Sequence, residues 1–144
     1  MNEKSASWLD SSAVLALLYA EPGMDIVRRL LEQAERQTIT LYSSALSLAE
    51  IVSSIAKTHD EEIAREDLRV VLEMPVRIES PTWEQCAEGG WLRARRELST
   101  ADAIIAVQAI AANAELVHKD PEFDAVPNLK HRRLPYKAKV VRKR

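Results

Sequence analysis

Short β-rich runs recur along this 144-residue chain, with helical segments between each of the first four and a loop before the last. That alternation constrains the fold more than any other feature. Ala6-Ser7-Trp8-Leu9-Asp10 reads as a first strand and Thr38-Ile39-Thr40-Leu41-Tyr42 as a second. Val76-Arg77-Ile78, Glu115 to His118 and an edge strand at His131 to Leu134 follow. Between them lie helices: Ala13 to Tyr19, apolar almost all round, then Asp25 to Arg36. The next two run from Ser43 to about Lys57 and, capped by Asp60, to about Glu73. Pro22-Gly23 and Pro75 break the pattern. Ser80-Pro81 reads as a cap and first-position proline for a helix to about Arg96, which Gly89-Gly90 is expected to weaken or bend. Strands alternating with helices predict an α/β fold. Its sheet is parallel, covered on both faces and connected by right-handed crossovers.

The last helix–strand unit carries the chemistry. Leu98-Ser99-Thr100-Ala101-Asp102 opens an Ala/Ile-rich helix with an acid in its first turn. The strand Glu115 to His118 then empties into Asp120, Glu122 and Asp124. In an open parallel sheet, sites form beyond the C-terminal ends of the strands. Asp10 ends the first strand, Asp120 follows the fourth, Asp102 starts its helix, and Glu50 lies about two turns into the helix after strand two. All four can reach one rim.

Each acid also has a plain helix-capping explanation. Ser99 to Asp102 and Ser47 to Glu50 have the form of capping boxes, Asp120-Pro121 that of a cap before proline, and Asp10 can cap the helix beginning near Ser12. Convergence weakens that explanation. Two like charges about 4 Å apart cost roughly 4 kcal/mol at an effective dielectric near 20. Such a group needs a cation or shared protons. A carboxylate set with no Cys/His zinc spacing suits Mg²⁺ or Mn²⁺, which supports phosphodiester hydrolysis. His59, His118 and His131 have no ligand spacing between them, and no phosphate loop or Ser-His-Asp order competes.

Composition sets the remaining bounds. With 47% apolar and 29% charged residues the chain has the balance of one globular domain. The single Cys86 excludes a disulfide framework, so a reducing cytoplasm is the simplest location. The N-terminus has no apolar signal region, and the longest apolar run, Ala13 to Ala20, is too short to cross a bilayer. All 22 acids precede residue 130, while eight of the 20 bases lie at or after it. Residues 1–129 therefore carry −10 and the last fifteen +8, against a net −2. The division is a domain at 1–136 and a basic tail at 137–144. The tail suits a polyanion or an acidic protein, and equally a solvated end.

The ordered set Trp8-Leu9-Asp10-Ser11-Ser12, Leu41-Tyr42-Ser43-Ser44, Glu50, Leu98-Ser99-Thr100-Ala101-Asp102-Ala103 and Leu116-Val117-His118-Lys119-Asp120-Pro121-Glu122-Phe123 resembles the PIN-domain ribonucleases. Within them it is most similar to the VapC-type toxins of prokaryotic toxin–antitoxin pairs. The resemblance spans nearly the whole chain. It implies a three-layer α/β/α sandwich, and an acidic site that binds Mg²⁺ or Mn²⁺ and cuts RNA. By position, the metal and catalytic acids fall on Asp10, Glu50, Asp102 and Asp120, with Glu122 and Asp124 as further ligand candidates. Here His118 stands where Thr or Ser is common, and Glu122 where Asp is more usual. The implied reaction is in-line attack of an activated water, leaving a 5′-phosphate and a 3′-hydroxyl. Ser11, Lys119 and Arg95 are candidate RNA contacts, with a solvated helix face as the alternative for Lys119 and the Arg93/Arg95/Arg96 group.

Toxins of this kind imply a homodimer blocked by a cognate antitoxin. Trp83 and Trp91 suit such a surface, with at least one of them expected in the core. Three other functions are compatible with the residues. They are a housekeeping PIN nuclease for RNA processing, a catalytically silent PIN-like RNA-binding module, and, with a poorer pattern, a phosphatase or receiver domain.

Overall fold

The protein is described here from a computed structural model, for residues 4–136. The basic tail assigned to 137–144 lies outside the described residues. Five strands form one sheet: β1 (Ser5–Leu9), β2 (Ile39–Ser44), β3 (Arg77–Glu79), β4 (Glu115–His118) and β5 (His131–Arg133). Their order is β3-β2-β1-β4-β5, and each of the four pairings is parallel. The chain builds outward from β1 to β3, then returns to the other side of β1. That reversal places a topological switch point between β1 and β4, where such sheets open a crevice at their C-terminal ends.

Side-chain alternation divides the sheet between two helical layers. Leu9, Leu41 and Val117 point into one core with α1 (Ser11–Leu18), α2 (Met24–Glu35), α3 (Ala45–Thr58) and α4 (Glu61–Glu73). Trp8 and Leu116 point the other way, toward α5 (Trp83–Arg95) and α6 (Thr100–Ala111). Trp8 and Tyr42, paired in register, stack with ring centroids 5.3 Å apart. Leu9, Ile55, Ile105 and Leu116 are fully buried. Burying each such side chain stabilises the fold by about 1.5–3 kcal/mol. The expected three-layer α/β/α sandwich is therefore the observed fold.

Several local expectations change. Thr82, not Ser80, caps α5: its hydroxyl accepts from Gln85 N at 3.1 Å, and Gln85 Oε1 accepts from Thr82 N at 3.0 Å. Helix α5 runs unbroken through Gly89 and Gly90. Gly89 instead permits a close helix crossing, since a Cβ there would stand 2.7 Å from Ile104 Cγ1 of α6. Trp83 and Trp91 are both outside the core, at 79% and 62% exposure. They lie on the face of α5 turned away from α6.

Candidate metal centre and active site

Asp10 caps α1 directly beyond β1 and is only 5% exposed. Its backbone N–H donates to Val117 of β4 at 3.0 Å, which fixes it at the switch point. Carboxylate Oδ2 accepts from Ser12 Oγ at 2.7 Å and from Ser12 N at 3.4 Å. The other oxygen, Oδ1, is buried with no hydrogen-bond partner. A buried carboxylate oxygen is normally satisfied, and leaving one bare costs about 1–3 kcal/mol or more. That orphan fits a cation-binding position.

The remaining acids arrive from three other segments. Glu50 lies in the second turn of α3, which starts at Ala45 with Ser44 as its cap. Ser47 is thus inside the helix, and the expected Ser47-to-Glu50 capping box does not form. Glu50 Oε2 accepts instead from Ser11 Oγ at 3.2 Å. Ser99 caps α6 by accepting from the backbone of Asp102 at 3.1 Å, which leaves the Asp102 carboxylate free. Asp120 caps a 3-10 turn, Pro121–Ala125, through Glu122 N at 2.9 Å. Asp102, Asp120 and Glu122 each offer a carboxylate oxygen, all within 4.8 Å of one another.

Electrostatics join these acids into one group. Burial pushes Asp102 up from 3.8 to about 6, with Asp10, Asp120 and Glu122 adding repulsion and the Ser99 contact opposing. Burial also raises Asp10, where Ser12 opposes and the Glu50 charge adds. Glu50 rises chiefly by burial, against its Ser11 bond and with Asp102 repelling it. Desolvated carboxylates that repel one another favour a shared divalent cation. The donor set is all oxygen, which suits Mg²⁺ or Mn²⁺.

The other expected site residues take different positions. Asp124 pairs with Arg133 at 3.2 Å and sits in a separate cluster with His118 and His131. His118 and His131, which have no telling spacing in the chain, meet across adjacent strands at 3.0 Å. Lys119 Nζ is held by Glu21 at 3.3 Å, so the solvated-face alternative does not describe it. Ser11 is buried and its hydroxyl serves Glu50. Arg95 ends α5 exposed.

Ser12, two residues after Asp10, has no site role in the sequence pattern beyond marking the start of a helix. Its Oγ holds Asp10 and accepts from Lys119 N at 3.1 Å, tying the end of β1 to the end of β4. A cleft of about 550 Å³ between Lys4, Gln33, Asn113 and Lys130 opens at the opposite, N-terminal ends of the strands and contains none of these rim acids.

Comparison with known proteins agrees with this fold. No curated protein matches the chain. Among solved structures, VapBC2 from Rickettsia felis, bound to a DNA fragment from its promoter, is 25% identical. That match has a TM-score of 0.75 and covers 90% of this chain and 99% of the other. DNA-bound VapBC from Salmonella typhimurium is 16% identical with a TM-score of 0.70, covering 91% and 98%. The sarcin–ricin loop cleaving toxin VapC20 of Mycobacterium tuberculosis is 21% identical with a TM-score of 0.66, covering 84% and 94%. The family model of the PIN domain matches residues 8–129, a span that holds all of the rim acids. The chain belongs to the PIN-domain family.

Proposed function

We propose that this protein is a Mg²⁺- or Mn²⁺-dependent endoribonuclease, acting as the toxin of a toxin–antitoxin pair. The observation that carries the reading is the bare, buried Asp10 Oδ1 beside acids whose carboxyls are pushed up by burial and mutual repulsion. Asp10, Glu50, Asp102 and Asp120 would hold the ion, directly or through water, with Glu122 beside them. The bound ion supplies charge neutralisation of the scissile phosphate and lowers the pKa of an attacking water. Ser12 and Ser11 orient Asp10 and Glu50. Asp120 orients the water in line with the departing O3′. The new bond forms between the water oxygen and phosphorus, and the P–O3′ bond breaks. The attacking water releases a proton to solvent and the O3′ takes one up from solvent, giving a 5′-phosphate and a 3′-hydroxyl. An open rim rather than an enclosed pocket suits a polymeric substrate, whose backbone the exposed Arg95 would contact.

The antitoxin reading is supported by the VapBC complexes on which this fold superposes. The exposed Trp83 and Trp91 support a protein partner on α5, a second copy of the chain in particular, because large exposed apolar patches mark association sites. No described helix is long and apolar enough to cross a membrane, and a cytoplasmic setting is proposed from the single, free Cys86.

The test is end-sequencing of RNA after induced expression, with Asp102→Asn as control and purified protein assayed with Mn²⁺ or chelator. Cleavage at discrete sites, lost in the variant and in chelator, is expected. Cleavage that persists in both would refute the metal-site reading.

A further inference from the structure

Beside the acidic rim lies a second polar cluster that the proposed chemistry does not use. His118 closes β4 and is fully buried. Its Nδ1 lies 3.1 Å from the backbone nitrogen of Asp120, and its Nε2 lies 3.0 Å from His131 Nδ1. Asp124 stands 3.6 Å from that same His131 nitrogen and 3.2 Å from Arg133 Nη1. Phe123 packs against the edge of the His118 ring, with centroids 4.8 Å apart and the planes at 63°.

The cluster is either a cation site or a hydrogen-bond relay. His118, Asp124 and His131 do offer three ligand atoms within 4.8 Å of one another. The backbone amide decides between the two. A peptide N–H only donates, so His118 Nδ1 must accept from Asp120. A neutral imidazole carries one hydrogen, which is then on Nε2. That nitrogen has no lone pair left for a cation. It donates to His131 Nδ1 instead. The hydrogen bonds therefore run in one direction, from Asp120 N–H to His118 and from His118 Nε2–H to His131, with Arg133 neutralising Asp124 alongside.

We infer that His118 is a positioning residue for the acidic rim: it holds the backbone of Asp120, and His131 selects which ring nitrogen faces that amide. This rests on the nuclease reading above. Asp120 is then pinned from two directions, by its own carboxylate at Glu122 N and by its amide at His118. The carbonyl of His118 also accepts from Leu134 N at 2.7 Å, so the same residue fastens the chain after β5. A flip of the ring would turn a carbon toward the Asp120 amide and leave that amide without an acceptor. The bond to His131 opposes the flip. The edge strand, which bears no acid of the rim, thereby acts on the site through one imidazole.

The test uses the full chain, first without metal. Nitrogen-15 spectra of the histidine rings should show His118 as the Nε2–H tautomer, and an Nδ1–H tautomer overturns the inference. Calorimetric titration with Mn²⁺ alone follows. His118→Leu should bind about tenfold or more weakly, the usual size of such an outer contact. His118→Asn, whose Oδ1 takes the place of Nδ1, should recover most of that loss. His131→Phe, an edge-strand change with little risk to folding, should weaken binding by about three- to tenfold. Wild-type affinity in folded His118→Leu or in His131→Phe overturns the inference, as does His118→Asn binding as weakly as His118→Leu. Wild-type protein that binds no Mn²⁺ sinks the nuclease reading instead, and the tautomer measurement still decides the relay.

Discussion

Ser11 and Glu50 are joined by a hydrogen bond of 3.2 Å across 39 residues of chain. Ser11 is buried in the first turn of α1, whereas Glu50 lies on the exposed side of α3. The bond holds the Glu50 carboxylate among Asp10 and Asp102, whose charges couple to it. Replacing Ser11 by Ala removes the only side-chain hydrogen bond to Glu50 among the described residues. Mn²⁺ affinity and kcat/KM are expected to fall about 3- to 10-fold, equivalent to about 0.7–1.4 kcal/mol, the net range of one hydrogen bond to a partly exposed partner. Titration calorimetry and cleavage rates check this, and unchanged affinity would remove Ser11 from the site.

Asp10→Asn separates catalysis from stability. The amide can still accept from Ser12, so the α1 cap survives. The buried charge is gone, and so is the bare oxygen suited to an ion. Cleavage should drop at least about 100-fold, equivalent to about 2.7 kcal/mol. The metal-free melting temperature should stay level or rise. Melting curves in chelator beside cleavage rates give the answer, and a variant that cleaves normally contradicts the assignment.

Acid titration of the rim should make stability depend on pH in an unusual direction. Asp102 moves from an ordinary 3.8 to about 6 in the folded protein, and Asp10 and Glu50 rise as well. A group with a raised folded pKa binds its proton more tightly folded than unfolded. Metal-free stability therefore falls as pH rises from 3.8 through about 6 and stays lower above it. At about 1.4 kcal/mol per unit, reduced for the partial exposure of Asp102, its share is about 1–2 kcal/mol. A divalent cation offsets that repulsion. The rise in melting temperature with Mn²⁺ should be larger near about pH 7.5 than near about pH 5, and equal rises would argue against a shared ion.

Gly89 and Gly90 should respond to Ala with opposite signs. A Cβ at Gly89 meets Ile104 Cγ1 at 2.7 Å and the Ile104 backbone at 3.1 Å, while nothing lies within 4 Å of one at Gly90. Gly89→Ala is expected to destabilise by about 1–3 kcal/mol through overpacking. Gly90→Ala is expected to stabilise by about 0.5–1 kcal/mol through helix propensity. Ile104 is two residues from Asp102 on α6, so Gly89→Ala should also slow cleavage. Urea unfolding of the pair is the measurement.

Local patterns alone make the frame readable. Turn residues and period-two apolar runs located each strand to within a residue or two. The end of β1 at Leu9 put Asp10 where a parallel sheet opens. What was not readable depends on contacts between distant segments. Gly89 looks like a helix breaker unless the approach of α6 is known. Lys119 looks free until Glu21, 98 positions earlier, is brought to it. At least one of Trp83 and Trp91 is expected in the core because large aromatics usually are, but the inner face of α5 is filled by its crossing with α6 and both stay exposed. His118 and His131 are 13 positions apart, a separation that means nothing until β4 and β5 pair in register.

The sheet order also sets when the protein can become active. β1 emerges first from the ribosome but lies at the centre of the sheet, and its second neighbour, β4, is more than a hundred residues downstream. At roughly 5–20 residues per second, translation needs roughly 5 to 20 s between Asp10 and Asp120. Through that interval a nascent chain has the first acid but no crevice to hold it in. The site can therefore assemble only after β4 has been made, and a product ending before β4 lacks Asp120 and the crevice beside Asp10. On the ribonuclease reading proposed above, strand order thereby keeps a chain still attached to an RNA machine from cutting it.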